Sequence, residues 1–147
     1  MTGGRRFWLN LYAPETWEDF LACGARETGV KHNAARRAAR VVPGDILLGY
    51  ITKRKLWGAV LEVTAPAYEA APDQYPHDPE YRILLPIRIL SIRGLDQAVP
   101  MDEHLHRFSF HDPDRPNRWG VWMRQTLREM TPEDGRLVAG LLGVEAL

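Results

Sequence analysis

The stretch that decides the fold is residues 46–63, which read ILLGYITKRKLWGAVLEV. Two apolar runs, at 46–51 and 57–64, flank a short basic connection, and this pattern predicts a pair of strands joined by a hairpin. A glycine inside a strand often marks a bulge or the close approach of another segment. Gly49 and Gly58 therefore predict such irregularities in the two strands.

Further strand signals lie on both sides of this hairpin. Residues 7–12 (FWLNLY) form an aromatic-rich run with one polar interruption. Residues 81–92 (YRILLPIRILSI) predict a longer strand, in which Pro86 favours an edge or a bulge. Residues 119–130, which include two tryptophans, are predicted to contain the last strand.

Helix signals are placed irregularly between these strands. Pro14 suits the first turn of a helix, and an apolar stripe follows at helical spacing. Residues 33–40 are rich in Ala and Arg and predict a second helix, and residues 101–108 predict a short one. Thr131, followed by Pro, predicts the N-cap of a final helix. Together these signals predict an α+β fold in which a twisted, mostly antiparallel sheet curls towards a barrel.

Composition limits the class of protein. The 147 residues predict one domain, 1–147, and 45% hydrophobic residues suffice for a core. The single cysteine, Cys23, excludes an internal disulfide and fits a reducing cytoplasm. No signal peptide is recognisable, and the apolar runs are far shorter than the roughly 20 residues of a membrane helix. We therefore expect a cytoplasmic protein without a membrane segment.

Charge is segregated along the chain although the net charge is zero. Residues 31–40 contain four cations and no acid, and residues 53–55 add three cations. Acids cluster at 15–19 and 73–80. A segregated chain can present one positive face to a nucleic acid. This interpretation requires the two basic segments to share a face, and opposite faces would weaken it.

Four segments form a recognisable series in their order and spacing. They are the opening Phe7-Trp8-Leu9-Asn10, the segment at 29–37 (GVKHNAARR), the strand at 42–50 (VPGDILLGY) and the strand at 57–63 (WGAVLEV). In this series the chain resembles the EVE domains of the PUA-like superfamily, and the resemblance covers most of its length. It implies a PUA-like pseudo-barrel of about five to six strands flanked by helices. Related YTH domains carry a cage Trp close to the position of Lys31, where this chain has none.

The resemblance implies non-catalytic recognition of a modified base, such as 5-methylcytosine or N6-methyladenine, flipped out of DNA or RNA. It implies no cofactor and no metal, and it is associated with separately encoded nucleases or modification enzymes. Aromatic walls can sandwich such a base, with stacking worth about 1–3 kcal/mol. Cations hold the phosphates, which makes binding depend on salt.

The residue types and the resemblance together single out the candidates. Core packing is the default for Trp8 and Trp57, Asn10 also fits a satisfied core residue, and Asn33 also fits an ordinary N-cap. The candidates for the base pocket are Trp8, Asn10, Val30, Lys31, His32, Asn33, Tyr50, Ile51, Trp57, Tyr75, Trp119, Trp122 and Arg124. The candidates for the nucleic-acid backbone are Arg36, Arg37, Arg40, Lys53, Arg54 and Lys55.

Two other function classes remain open at this point. His104, His106 and His111, with acidic neighbours, could hold a metal in a hydrolase, although their spacing matches no established motif. A PUA-like module that binds a small molecule or a peptide through the aromatic loop at 65–80 is the other alternative. The sequence contains no nucleophile motif and no glycine-rich phosphate loop.

Overall fold

A computed structural model describes residues 5–22, 24–69, 80–145 and 147. In these ranges the chain forms eight strands, four α-helices and two 3-10 turns. The strands are β1 (Phe7–Tyr12), β2 (Glu27–Val30), β3 (Ile46–Ile51), β4 (Leu56–Val63), β5 (Tyr68–Glu69), β6 (Ile83–Ile92), β7 (Val99–Pro100) and β8 (Arg128–Met130). The helices are α1 (Pro14–Ala22), α2 (Ala35–Ala38), α3 (Trp119–Trp122) and α4 (Pro132–Leu141), and the 3-10 turns are His32–Ala34 and Leu105–Arg107.

The strands form one curled, mixed sheet in the order β2-β6-β4-β3-β1-β8, with β5 beside β6 and β7 beside β4. All pairings are antiparallel except that of β1 with β3. The parallel pair sets Leu11 opposite Tyr50, so the carboxyl ends of both strands meet at one edge. This architecture confirms the predicted α+β fold.

The central strands β1 and β3 are buried on both faces of the sheet. Successive side chains of a strand point to opposite sides, and β1 follows this rule. Trp8 packs into one core together with Trp17 of α1, whereas Leu9 packs into a second core together with Val138 of α4. A strand between two cores must be apolar throughout, which explains the uninterrupted burial of β3.

The two strand glycines occupy the irregular positions that the sequence predicts. The β3–β4 pairing shifts register between Gly49 and Tyr50. At Gly58 an added Cβ would lie 2.9 Å from Cζ2 of Trp17. Only glycine therefore lets the Trp17 ring approach β4 this closely.

The helical predictions succeed where the signal is local. Helix α1 begins at Pro14, and α4 has Thr131 as its N-cap, whose side chain accepts a 3.1 Å hydrogen bond from the Asp134 amide. The predicted helix at 33–40 is a 3-10 turn followed by the single turn of α2, and the one at 101–108 is only a 3-10 turn. No described helix is both long and apolar enough to cross a bilayer.

The last strand predicted within residues 119–130 is β8, and it occupies only Arg128–Met130. Residues Trp119–Trp122 form the helical turn α3, in which the Met123 amide donates to the Trp119 carbonyl at 3.0 Å. A four-residue apolar run does not distinguish a strand from a buried helical turn. Strand β8 begins only at Arg128, after Leu127 adopts a left-handed φ of 55°.

Candidate nucleic-acid interface

A cavity of about 260 Å³ opens where β1 and β2 end, and we call it the Lys31 cavity. Five of its lining residues were predicted from the sequence: Val30, Lys31, Asn33, Arg37 and Arg124. The structure adds four residues that were not predicted: Leu11, Tyr81, Gln125 and Thr126.

Distant segments hold this cavity in place through Thr126. Its hydroxyl accepts a 3.0 Å hydrogen bond from the amide of Leu11 in β1. Its carbonyl oxygen accepts a 2.9 Å hydrogen bond from Nε of Arg37 in α2. Across the cavity, Nζ of Lys31 lies 5.7 Å from the centroid of the Tyr81 ring, a cation–π contact. The lining is therefore held by β1, by α2 and by the segment just before β6.

The Lys31 cavity is cationic. Lys31, Arg37 and Arg124 line it, and among the described residues no Asp or Glu does. Leu11 and Val30 supply apolar surface, and Asn33 and Gln125 supply amides. Tyr81 is the only aromatic side chain among the described lining residues. The cavity thus offers one stacking surface, polar groups for a base edge, and charges for phosphate.

A second cavity, of about 320 Å³, lies beside the first, and we call it the Trp119 cavity. It shares Leu11 and Arg124 with the Lys31 cavity. Nζ of Lys55 lies 5.9 Å from the centroid of the Trp119 ring. The described residues that line it are Leu11, Tyr50, Thr52, Lys53, Lys55, Trp119, Gly120, Met123 and Arg124.

Burial controls the chemistry of Tyr50 in the Trp119 cavity. Loss of solvent raises the pKa of its hydroxyl well above the ordinary value, and the negative charge of Asp102 raises it further. The side chain is only 3% exposed. Tyr50 therefore stays neutral and contributes an apolar ring surface rather than an acid–base group.

The turn between β3 and β4 holds its lysines in an unfavourable backbone conformation. Lys53 has a φ of 63° and Lys55 a φ of 57°. Left-handed backbone costs a non-glycine residue about 1–2 kcal/mol, and hairpin turns normally use Gly, Asn or Asp at such positions. Both lysines are exposed and line the Trp119 cavity. The turn therefore places two cations at the cavity at a cost in stability.

A third depression has a volume of about 450 Å³ and is lined by Trp122 but not by Trp119. We call it the Trp122 groove. Trp122 stacks on Phe110 with a centroid distance of 4.2 Å, and the guanidinium carbon of Arg128 lies 4.7 Å from the Trp122 ring. Trp119 and Trp122, both predicted for one base pocket, thus lie in two different depressions.

Four other predicted pocket residues lie in the core and line none of the three depressions. Trp8 Nε1 donates to Asp45 Oδ2 at 3.0 Å, and Trp57 Nε1 donates to Met101 Sδ at 3.2 Å. Ile51 is fully buried. Asn10 is also fully buried, and its Nδ2 donates to Tyr12 Oη at 2.9 Å and to Thr28 Oγ1 at 3.1 Å. The core alternatives for Trp8 and Trp57 therefore fit the structure. Asn10 is a core residue but is not fully satisfied, because its Oδ1 has no hydrogen-bond partner among the described residues.

The remaining predicted pocket residues are placed as follows. His32 is exposed and lines no described cavity. Asn33 lies inside the 3-10 turn, whose N-cap position belongs to Lys31, so the interpretation of Asn33 as an N-cap is wrong. Tyr75 falls outside the described residues.

The six backbone candidates divide into two groups. Arg37, Lys53 and Lys55 line the cavities, whereas Arg36, Arg40 and Arg54 are exposed and line neither. The side chain of Arg40 instead makes a 4.0 Å ion pair with Glu129. Because Arg124 belongs to both cavities, the cations of α2 and of the β3–β4 turn contribute to one continuous surface.

The histidines of the hydrolase alternative do not form a metal site. Among the described residues, no group of three or more His, Cys, Asp or Glu side chains could hold a metal ion. His104 Nδ1 instead contacts Arg107 Nη1 at 3.3 Å. The interpretation of His104, His106 and His111 as a set of ligands is therefore wrong.

The lining residues that sequence reasoning missed gave weak signals. Leu11 and Tyr81 belong to predicted strands and look like ordinary sheet residues. Gln125 and Thr126 fall in the segment predicted as a strand, and the polar break RQT at 124–126 is the one feature that could have marked them.

The fold is shared with solved structures of low sequence identity. The YTH domain of Zygosaccharomyces rouxii MRB1, in complex with N6-methyladenosine RNA, matches with a TM-score of 0.67 and 14% identity, over 97% of this chain and 89% of that chain. Atu2648 from Agrobacterium tumefaciens matches with a TM-score of 0.61 and 21% identity, over 97% and 96%. Rpa0253 from Rhodopseudomonas palustris matches with a TM-score of 0.60 and 20% identity, over 94% and 93%. No family model and no curated protein matches the sequence. The similarities show that this chain has the fold of YTH domains.

Proposed function

We propose that this chain is a non-catalytic module that binds a modified base of an RNA in the Lys31 cavity. The observation that carries the proposal is the cavity itself, which combines apolar surface, amides and an aromatic ring with three cations and, among the described lining residues, no acid. A nucleotide offers the complementary set: an apolar-faced base with a polar edge, joined to a phosphate.

Each part of the lining has a role in this proposal. The Tyr81 ring stacks on the base, with Leu11 and Val30 contacting an added methyl group. Asn33 and Gln125 carry both donors and acceptors, which suits them to the base edge. Arg37 and Arg124 contact the flanking phosphates. In a cage built from several aromatic walls, stacking provides most of the contact. This lining instead contacts the polar edge of the base as much as its methyl group.

RNA is favoured over DNA by the likeness in fold. The YTH domain of Z. rouxii MRB1 is in complex with N6-methyladenosine RNA. Membership of the EVE branch of the PUA-like fold is part of the same proposal. It is supported by segment 29–37, on which that resemblance partly rests and which supplies Val30, Lys31, Asn33 and Arg37 to the cavity. A separately encoded nuclease or modification enzyme would act on the bound nucleic acid.

A binding screen tests the proposal. Short single-stranded RNAs and DNAs carrying a central N6-methyladenine or 5-methylcytosine are compared with their unmodified counterparts by fluorescence anisotropy at two salt concentrations. One modified RNA should bind at least about fourfold more tightly than its unmodified form, since both forms stack alike and burial of the added methyl group is worth roughly 0.8 kcal/mol.

Single substitutions test whether the RNA binds at the Lys31 cavity. Lys31→Gln and Arg124→Gln should each weaken binding, and Arg124→Gln should also reduce the salt slope by about 0.7, the contribution of one phosphate on a single strand. Arg54→Gln is the matched control, because Arg54 is exposed and lines neither cavity. Equal affinity for modified and unmodified strands throughout the panel would contradict the proposal.

A further inference from the structure

We propose that the Trp119 cavity is a second subsite, which holds the base of the nucleotide next to the one bound in the Lys31 cavity. This inference rests on the proposed function and specifies the ligand as at least a dinucleotide unit of a single strand. The module would then read a modified base together with one neighbour.

The first argument is adjacency. Leu11 and Arg124 line both cavities, so a ligand leaving one passes directly into the other. The parallel pairing of β1 with β3 creates this arrangement, since it sets Leu11 opposite Tyr50. A single strand therefore has a continuous path from the first subsite to the second.

The second argument is the chemistry of the lining. Trp119 is partly exposed, and Tyr50, Met123 and Leu11 add apolar surface around it. An aromatic face accepts any base by stacking, because every base has a π-face. The polar side chains that could read a base edge are few, as the lining contains no Asn or Gln among the described residues. This subsite accordingly stacks a neighbouring base with little selection of its identity.

The third argument is charge. Lys53 and Lys55 line the Trp119 cavity, and Arg124 belongs to both cavities. A guanidinium placed between two bound nucleosides is positioned for the phosphate that joins them, to which it can donate two parallel hydrogen bonds. Lys53 and Lys55, held in left-handed backbone, would then contact the next phosphate along the strand. Strained residues of this kind cluster at ligand sites.

The test removes one base at a time from the strand. The modified RNA that binds most tightly in the screen above is compared with two versions in which either the 5′ or the 3′ neighbour of the modified nucleotide is abasic. With the wild-type chain, one of the two abasic strands should bind roughly fivefold or more weakly, because it loses a stacked base. The other abasic strand should bind nearly as well as the intact RNA.

A variant assigns this loss to Trp119. Trp119→Leu keeps an apolar side chain against the second core but removes the aromatic face. It should bind the intact RNA and the sensitive abasic strand with equal affinity. Trp122→Leu is the matched control, since Trp122 lies on the same short helix but lines the Trp122 groove, and it should keep the difference.

The possible failures are distinguishable. If the modified RNA is preferred but neither abasic strand loses affinity, or if Trp119→Leu keeps the difference between strands, the second subsite is refuted and the proposed function stands. If the wild-type chain prefers no modified strand, both are refuted. A circular dichroism spectrum and thermal midpoint close to wild type establish that Trp119→Leu is folded, and Lys55→Gln, an exposed change in the same cavity, supplies an independent measurement of affinity.

Discussion

Nε of Arg37 donates a 2.9 Å hydrogen bond to the carbonyl oxygen of Thr126, which follows it by 89 residues in the sequence. This bond joins the short helix α2 to the segment that precedes β8. Both partners line the Lys31 cavity, as do Arg124 and Gln125 beside Thr126. Arg37 therefore has two roles, because it contributes charge to the cavity and also fixes the backbone of the opposite wall.

The double role of Arg37 predicts two effects of Arg37→Gln. The free energy of unfolding should fall by about 1 kcal/mol, since the carbonyl of Thr126 loses a charge-assisted partner that is partly exposed. Affinity for the preferred RNA should fall roughly tenfold or more, because a charge and a fixed wall are lost together. Arg36→Gln, on the same helix but lining neither cavity, should change each quantity little. Denaturant titration and anisotropy measure the two effects, and equal losses in both variants would contradict the assignment.

Trp8 should matter for stability but not for binding. Its Nε1 donates to Oδ2 of Asp45, a carboxylate that is 3% exposed and also accepts from the amides of Arg6 and Val42. Trp8→Phe removes one donor from this buried carboxylate and leaves unfilled volume, which should cost about 2 kcal/mol of unfolding free energy. The RNA affinity of the folded variant should equal that of wild type. A loss of RNA affinity at unchanged free energy of unfolding would contradict this prediction and would show that Trp8 contributes to binding.

Two glycines of α4 should respond in opposite ways to alanine. At Gly135 an added Cβ would lie 2.3 Å from Cγ of Phe7, and at Gly140 it would meet nothing within 4 Å. Gly135→Ala should therefore destabilise the protein by about 1–3 kcal/mol or more, through forced displacement of Phe7 or of the helix. Gly140→Ala should stabilise it by about 0.5–1 kcal/mol, because alanine restricts the unfolded chain and favours the helix. Urea unfolding of the two variants gives both values, and a destabilising Gly140→Ala would show that this face of α4 is packed.

Tyr50 should make stability depend on alkaline pH. Burial raises the pKa of its hydroxyl in the folded chain, with Asp102 adding to the effect, whereas the unfolded chain has the ordinary value of about 10. Because the pKa of Tyr50 is higher in the folded chain, the contribution of Tyr50 to the free energy of unfolding is complete below about pH 10. It is lost as the pH rises above that value. Tyr50→Phe should therefore lose less unfolding free energy than wild type between about pH 9.5 and 11.5.

Tyr68 provides a reference for this measurement. Its hydrogen bond to the Glu27 carboxylate, aided by some burial and by the charge of Glu27, raises the pKa of Tyr68 to about 12. Tyr68 is largely exposed, so Tyr68→Phe should alter the pH profile less than Tyr50→Phe does. The opposite order would show that ionisation of the exposed tyrosine dominates the alkaline response.

The sequence predicts those parts of the fold that local chemistry determines. The N-cap at Thr131, the start of α1 at Pro14 and the buried strand β3 each depend on a few neighbouring residues. The sequence did not separate the helical turn α3 from the strand that follows it within residues 119–130, because WGVW is apolar in either conformation. Tertiary packing decides such a short segment, and periodicity does not.

The site was predicted less completely than the fold. Lys31, Asn33, Arg37 and Arg124 were identified from charge, polarity and resemblance, and the structure places all four in one cavity. Leu11 and Tyr81 could not be identified, because their place at the cavity depends on the parallel pairing of β1 with β3 and on the path of the segment just before β6. Six Trp and Tyr residues were candidates for one pocket, and the sequence did not reveal which of them the two cores would bury.

The parallel pairing of β1 with β3 has a consequence for folding and ligand linkage. The two strands are separated by residues 13–45, which supply the long crossover connection that a parallel pair requires. The cavities therefore form only in the complete fold, and no hairpin or excised fragment should bind. RNA binding is then coupled to global unfolding, because only the folded chain binds RNA. RNA present at a hundred times its dissociation constant should raise the free energy of unfolding of the entire domain by about 2.7 kcal/mol.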